Sequence, residues 1–176
     1  MIAQTARTLP QSLSPDIQIS LSFSPGLTAY RGKLLSQVHG KGTAVYAAAF
    51  VREQRIVLER ALLSRPRELQ LTLLHEMSHF VWVHLGNPKR SEFEAILRRE
   101  IMGRAKSEIG ESAEVQKIRL LSGGYNRPES SRWRDYICES FCDTAAWFYS
   151  GINNHPTFKL AERWRVFRRR WFQALN

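Results

Sequence analysis

Two cysteines in 176 residues leave little room for covalent bracing. Cys138 and Cys142 are four positions apart, one turn of a helix, where a disulfide forms poorly. A secreted scaffold built on disulfides is excluded. No run of 18 apolar residues occurs, so no membrane-spanning helix is expected. The opening residues, MIAQTARTLPQSLSPD, lack the apolar core of a secretory signal. These absences favour a reducing, cytoplasmic setting. No internal repeat is visible, which excludes a repeat array. Aspartate is scarce: Asp16, Asp135 and Asp143 are the only three.

What is present suits one soluble domain, residues 1–176, with 43% hydrophobic residues and length enough for a real core. Residues 1–15 read as a flexible lead. Residues 17–23 alternate apolar and polar, as a half-buried strand does. Residues 43–51 and 55–58 read as a hairpin around Arg52-Glu53-Gln54. Helical patterns follow at 69–85, 91–109, 111–121, 133–150 and 158–175, with a loop at 122–131. The expected class is α+β: a small antiparallel sheet, then helices.

The segment with most chemistry is His75-Glu76-Met77-Ser78-His79, an H-E-x-x-H pattern. Five His and thirteen Glu placed at random would produce it in about one such chain in a hundred. Its flanks are apolar and free of Gly and Pro. Pro66 suits a helix start, while Gly86-Asn87-Pro88 suits a stop with Gly86 as a left-handed cap. On a helix, His75 and His79 share one face. Two imidazoles one turn apart can grip a Zn²⁺, with Glu76 placed to take a proton from water at the metal's open position. A charged Glu on an apolar helix otherwise needs a partner. His84 falls on the opposite face and reads as a histidine of the helix end.

Two histidines leave the site short of a ligand. In residues 133–150, Ile137, Phe141, Thr144, Ala145 and Phe148 form an inward stripe, and Glu139 and Asp143 fall on an adjacent face one turn apart. This combination resembles the gluzincin branch of zinc metallopeptidases, over roughly residues 44–150. The resemblance implies metal ligation by His75, His79 and Glu139, with Glu76 as general base and Asp143 supporting a ligand histidine from behind. It implies peptide hydrolysis with Zn²⁺ as cofactor, a protein or peptide as substrate, and an edge strand that receives extended substrate. Small one-domain ImmA/IrrE-like peptidases share the hairpin, the H-E-x-x-H helix and the later acidic helix. The SprT-like pattern wants a third histidine that this chain lacks nearby. The charged stretch 89–121 separates the two motif helices widely. Asp135 rivals Glu139 on the same face but lies near the polar helix start. Cys138 and Cys142 bind zinc well as thiolates, yet with both histidines they would close the site; they read as small buried residues. Tyr149, Tyr125 and His155 are candidate oxyanion donors.

The net charge is +10. Much of it lies at residues 158–175, where Lys159, Arg163, Arg165, Arg168, Arg169 and Arg170 accompany an apolar stripe of Leu160, Trp164, Phe167, Trp171 and Leu175. The aromatics are expected to dock and Arg168, Arg169 and Arg170 to face outward. A solvated face is one reading. A nucleic acid or acidic partner is the other, which makes a nucleic-acid-binding protein on a zinc-stabilised scaffold the alternative function.

Overall fold

The computed structural model describes residues 18–31, 33–36, 42–122 and 130–175. The expected flexible lead and Tyr125 lie outside these residues. The class is α+β, with two three-stranded sheets and five α-helices among the described residues. The strands are β1 (Ser20–Ser24), β2 (Thr28–Tyr30), β3 (Lys33–Leu35), β4 (Thr43–Ala44), β5 (Ala47–Phe50) and β6 (Arg55–Glu59). The helices are α1 (Pro66–His84), α2 (Asn87–Met102), α3 (Glu111–Ser122), α4 (Ser131–Ser150) and α5 (Glu162–Gln173). Among the described residues, no helix is long and apolar enough to cross a membrane.

The first sheet is mixed rather than antiparallel, in the order β1-β6-β5. The hairpin β5–β6 is present, with Ala48 opposite Val57 and Gln54 turning left-handed at φ 49°. β1 lies parallel to β6, with Leu21 opposite Ile56 and Phe23 opposite Leu58. A parallel neighbour needs a long crossover, and β2 to β5 provide it. The second sheet, β3-β2-β4, is antiparallel. The segment 43–51 therefore splits between two sheets. Its hydrogen bonds change partner at the break: Val45 N–H bonds Leu27 C=O, whereas Tyr46 C=O accepts from Glu59 N–H. The Glu59 carboxylate also takes the Leu27 N–H at 2.8 Å, tying the sheets together.

α1 lies between two apolar cores. Leu69, Leu73 and Phe80 pack with Ile56, Leu58 and Leu62 from the sheet side. Leu74 and Val81 pack with Trp133, Tyr136, Ile137 and Phe141 from the helical side. A helix buried on both sides needs apolar residues on two faces, and Leu69, Leu73 and Phe80 supply one while Leu74 and Val81 supply the other. Pro66 does start it. Gly86 is not a left-handed cap: it is extended (φ −61°, ψ 154°) and begins α2. Buried Leu85 turns the chain inward, and Pro88 starts the next helix within one turn. α2 is displaced from the expected 91–109 and stops at Gly103, before Arg104 at φ 56°. α4 is capped by the Ser130 hydroxyl, which accepts the Trp133 N–H, and closed by Gly151 at φ 68°.

α5 is shorter than the expected 158–175, and its inner face is rotated from the expected stripe. Trp171 and Phe172 are buried, while Trp164 and Phe167 are half-buried. Phe172 stacks on Phe141 at 5.3 Å. Arg168 does not face outward: it is fully buried. It bonds Glu100 (Nε to Oε1, 2.9 Å), Glu108 (Nη2 to Oε2, 2.7 Å) and Thr144 Oγ1 (3.0 Å). A guanidinium taken out of water requires such carboxylate partners. Arg169 pairs with Glu162 at 2.9 Å and lies over Trp147; Arg170 is exposed.

Candidate metal centre

α1 presents His75, Glu76 and His79 toward α4, its principal neighbour, and toward β5. α4 answers with two side-by-side pairs one turn apart, Cys138/Cys142 and Glu139/Asp143. The histidine rings meet edge to face, 5.0 Å between centroids. His75 Nδ1 donates to Asp143 Oδ1 at 2.7 Å, and its Nε2 lies 3.2 Å from Glu139 Oε2. His79 Nε2 lies 3.9 Å from Glu139 Oε1. Its Nδ1 is 3.5 Å from both Cys138 Sγ and Cys142 Sγ. Both Nε2 atoms thus face one carboxylate, while both Nδ1 atoms are engaged by other α4 side chains.

Electrostatics follow from burial among acids. Burial pulls the His75 pKa down, but the Asp143 charge and the bonds to Asp143 and Glu139 outweigh it, and the net shift is strongly upward. His79 also moves upward, burial being outweighed by Cys138 and by the neighbouring carboxylates. Burial raises Glu139, yet its bond to His75 and both imidazolium charges bring it below the ordinary carboxylate range. Burial pushes Glu76 above that range despite the two histidines and an Ala49 backbone hydrogen bond. Cys138 falls to about 6, chiefly through its hydrogen bond with Cys142.

Two donor sets deserve comparison. His75, His79 and Cys142 place ligand atoms within 4.8 Å of one another. Cys142 Sγ, however, lies beside His79 Nδ1, while Asp143 already occupies His75 Nδ1. Glu139 lies beside the Nε2 atoms of both rings. The second set leaves the Asp143 and thiol contacts behind the two rings intact.

Beside this cluster runs β5, an edge strand among the described residues. Tyr46 C=O points to β6. Groups alternate along an antiparallel strand, so Ala48 and Phe50 also face β6 while Ala47 and Ala49 face the open edge. Ala49 meets Glu76 there.

Other sequence candidates are elsewhere. Asp135 is exposed on α4 and His84 is exposed, with Nδ1 bonded to Phe80 C=O at 2.7 Å. Tyr149 is ten residues from Glu139, about 15 Å along the helix, and packs on Phe148 and Phe172. His155 bonds Thr157 Oγ1 at 2.7 Å and packs on Phe158. Sequence reasoning did not reach two partners of the site: the thiols at His79, and the Ala113 N–H that bonds Asp143 Oδ2 at 2.8 Å. The adjacent pairs Cys138-Glu139 and Cys142-Asp143, matching the histidine spacing, were the available signal for the thiols. Compared with protein family models, curated proteins and solved structures, the chain shows no match.

Proposed function

We propose that the protein is a zinc-dependent metallopeptidase, with His75, His79 and Glu139 as ligands and Glu76 as general base. One observation carries the reading: both imidazoles turn Nε2 toward Glu139, with Asp143 and the two thiols behind them. When bound, zinc supplies a Lewis acid that polarises the scissile carbonyl and acidifies a water. The chain supplies the rest. Asp143 fixes the ring of His75 by accepting its Nδ1 proton. Glu76, held by Ala49 and raised by burial, is suited to take the proton of the attacking water and return it to the departing amine nitrogen as the C–N bond breaks. The free N–H and C=O groups of Ala47 and the C=O of Ala49 suit strand pairing with an extended peptide.

The test is Glu76→Gln. The variant keeps size and polarity but cannot accept the proton. It is expected to bind zinc as the wild type does and to lose cleavage of a peptide library read by mass spectrometry. Wild-type protein that takes up no zinc, or a variant that cleaves at the wild-type rate, refutes the reading.

A further inference from the structure

Asp143 is held from both sides. One oxygen faces His75, and the other accepts the Ala113 N–H at the start of α3. Gly110 C=O accepts the Glu114 N–H at 3.2 Å, so Gly110 caps α3 and Ala113 is its third residue. A Ser or Asp at the cap would take that N–H with its own side chain. Gly110 has none, and Asp143 performs the capping from another helix. Glycine is required for space: a Cβ there would stand 2.1–2.5 Å from the Asp143 carboxyl atoms.

The approach to α3 is firmly anchored. Glu108 is 1% exposed and bonds Arg168, Lys117 Nζ (3.1 Å) and Tyr136 Oη (2.6 Å). Its backbone C=O accepts the N–H groups of Lys159 and Leu160 at 3.0 and 2.9 Å. Ile109 is completely buried beside it. The approach to the first turn of α3 is thereby held by residues of α3, α4, α5 and the connection before α5.

We infer that Gly110 and the Ala113 N–H are positioning elements of the site, setting Asp143 and through it the ring of His75. The long segment between the two motif helices then belongs to the metal centre's support. Its consequence for zinc rests on the proposed metal reading, whereas its consequence for the His75 ring does not.

The experiment has two arms. In metal-free protein, the His75 Nδ1–H resonance is followed by ¹H–¹⁵N NMR and assigned by its loss in His75→Gln. Gly110→Ala and Ala113→Pro should abolish or shift it; Pro in a first helical turn removes the donor without adding bulk at Gly110. Gly86→Ala, whose Cβ would meet only Pro88 Cδ at 3.7 Å, should leave it unchanged. With added zinc, competition against a chromophoric chelator should show affinity about 10–100-fold lower in Gly110→Ala. The same change in an Asp143→Ala background should add no loss, because the atoms it strikes are gone. An unchanged resonance in both folded variants overturns the inference, as does an independent, additive loss of zinc affinity. If Gly110→Ala does not fold, Ala113→Pro decides the first arm. A wild type without zinc uptake defeats the metal reading alone, and the resonance still decides the positioning role.

Discussion

Replacing Arg168 with alanine removes the cation shared by Glu100 and Glu108. All three side chains have no more than 1% exposure, and the guanidinium donates to both carboxylates and to Thr144. Its loss leaves Glu100 without its cation, while Glu108 keeps Lys117 and Tyr136. Breaking a buried pair from one side costs about 3–5 kcal/mol. For a chain of this size, 1 kcal/mol moves the melting midpoint by about 2–4 °C, so the expected fall is roughly 6–20 °C. Urea denaturation and calorimetry measure it. Exposed Arg170→Ala is the control and should stay within about 0.5 kcal/mol. The pH dependence gives a second check. Burial raises Glu108, but Arg168 and Lys117 bring it below its ordinary 4.5. A lowered carboxylate contributes stability above its unfolded pKa and loses it as pH falls through the folded value. Without Arg168, burial acts on both acids with less opposition, and a raised carboxylate penalises folding most above its folded pKa. The deficit of the variant should therefore be widest near neutral pH and narrow below about pH 4.5. A variant within about 1 kcal/mol of wild type at pH 7 refutes the reasoning, as does a deficit independent of pH.

Phe172→Ala should cost about 3–5 kcal/mol, because its ring is fully buried among Phe93, Phe141, Phe148 and Trp171; half-buried Trp164→Ala should cost less, by the same denaturation assay. Glu139→Ala should abolish stoichiometric zinc in equilibrium dialysis, while Cys142→Ser retains it; the reverse order would assign the third ligand to Cys142. Arg163→Gln with Arg170→Gln should leave stability within about 0.5 kcal/mol. Wild-type binding to DNA or RNA that falls steeply with salt, and flattens in that variant, would overturn the solvated-face reading of α5.

The H-E-x-x-H helix was legible because its determinants are local: Pro66 at the start, no internal Gly or Pro after it, and apolar residues recurring along its length. Glu139 and Asp143 were legible as a spaced pair on α4, and the structure brings both to the histidines. The β1/β6 pairing was not, because parallel register depends on a crossover of some thirty residues rather than on either strand. Arg168 illustrates a different limit. It lies four residues after Trp164 and four before Phe172, on the buried face of α5. Read among Arg169 and Arg170, it looks like a solvated charge. Only Glu100 and Glu108, on α2 and beyond it, reveal that the face is paired. The capping of α3 by Asp143 was hidden for the same reason: a glycine cap signals missing side-chain chemistry but not which distant carboxylate supplies it.

The chain buries two acidic clusters and treats them oppositely. Glu100 and Glu108 receive Arg168 and Lys117, so that cluster is neutralised from within. Glu76, Glu139 and Asp143 lie among His75 and His79, and among the described residues no Lys or Arg forms an ion pair with any of the three. The difference does not reflect a shortage, since the chain carries 26 Lys and Arg. Buried carboxylates without a cationic partner cost several kcal/mol each, and the partners given to these are imidazoles, whose charge depends on a proton that can leave. A fixed guanidinium would block a metal; imidazoles can release protons and accept one. The placement of exchangeable charge at one cluster and permanent charge at the other is a physical argument for the metal centre proposed at the first.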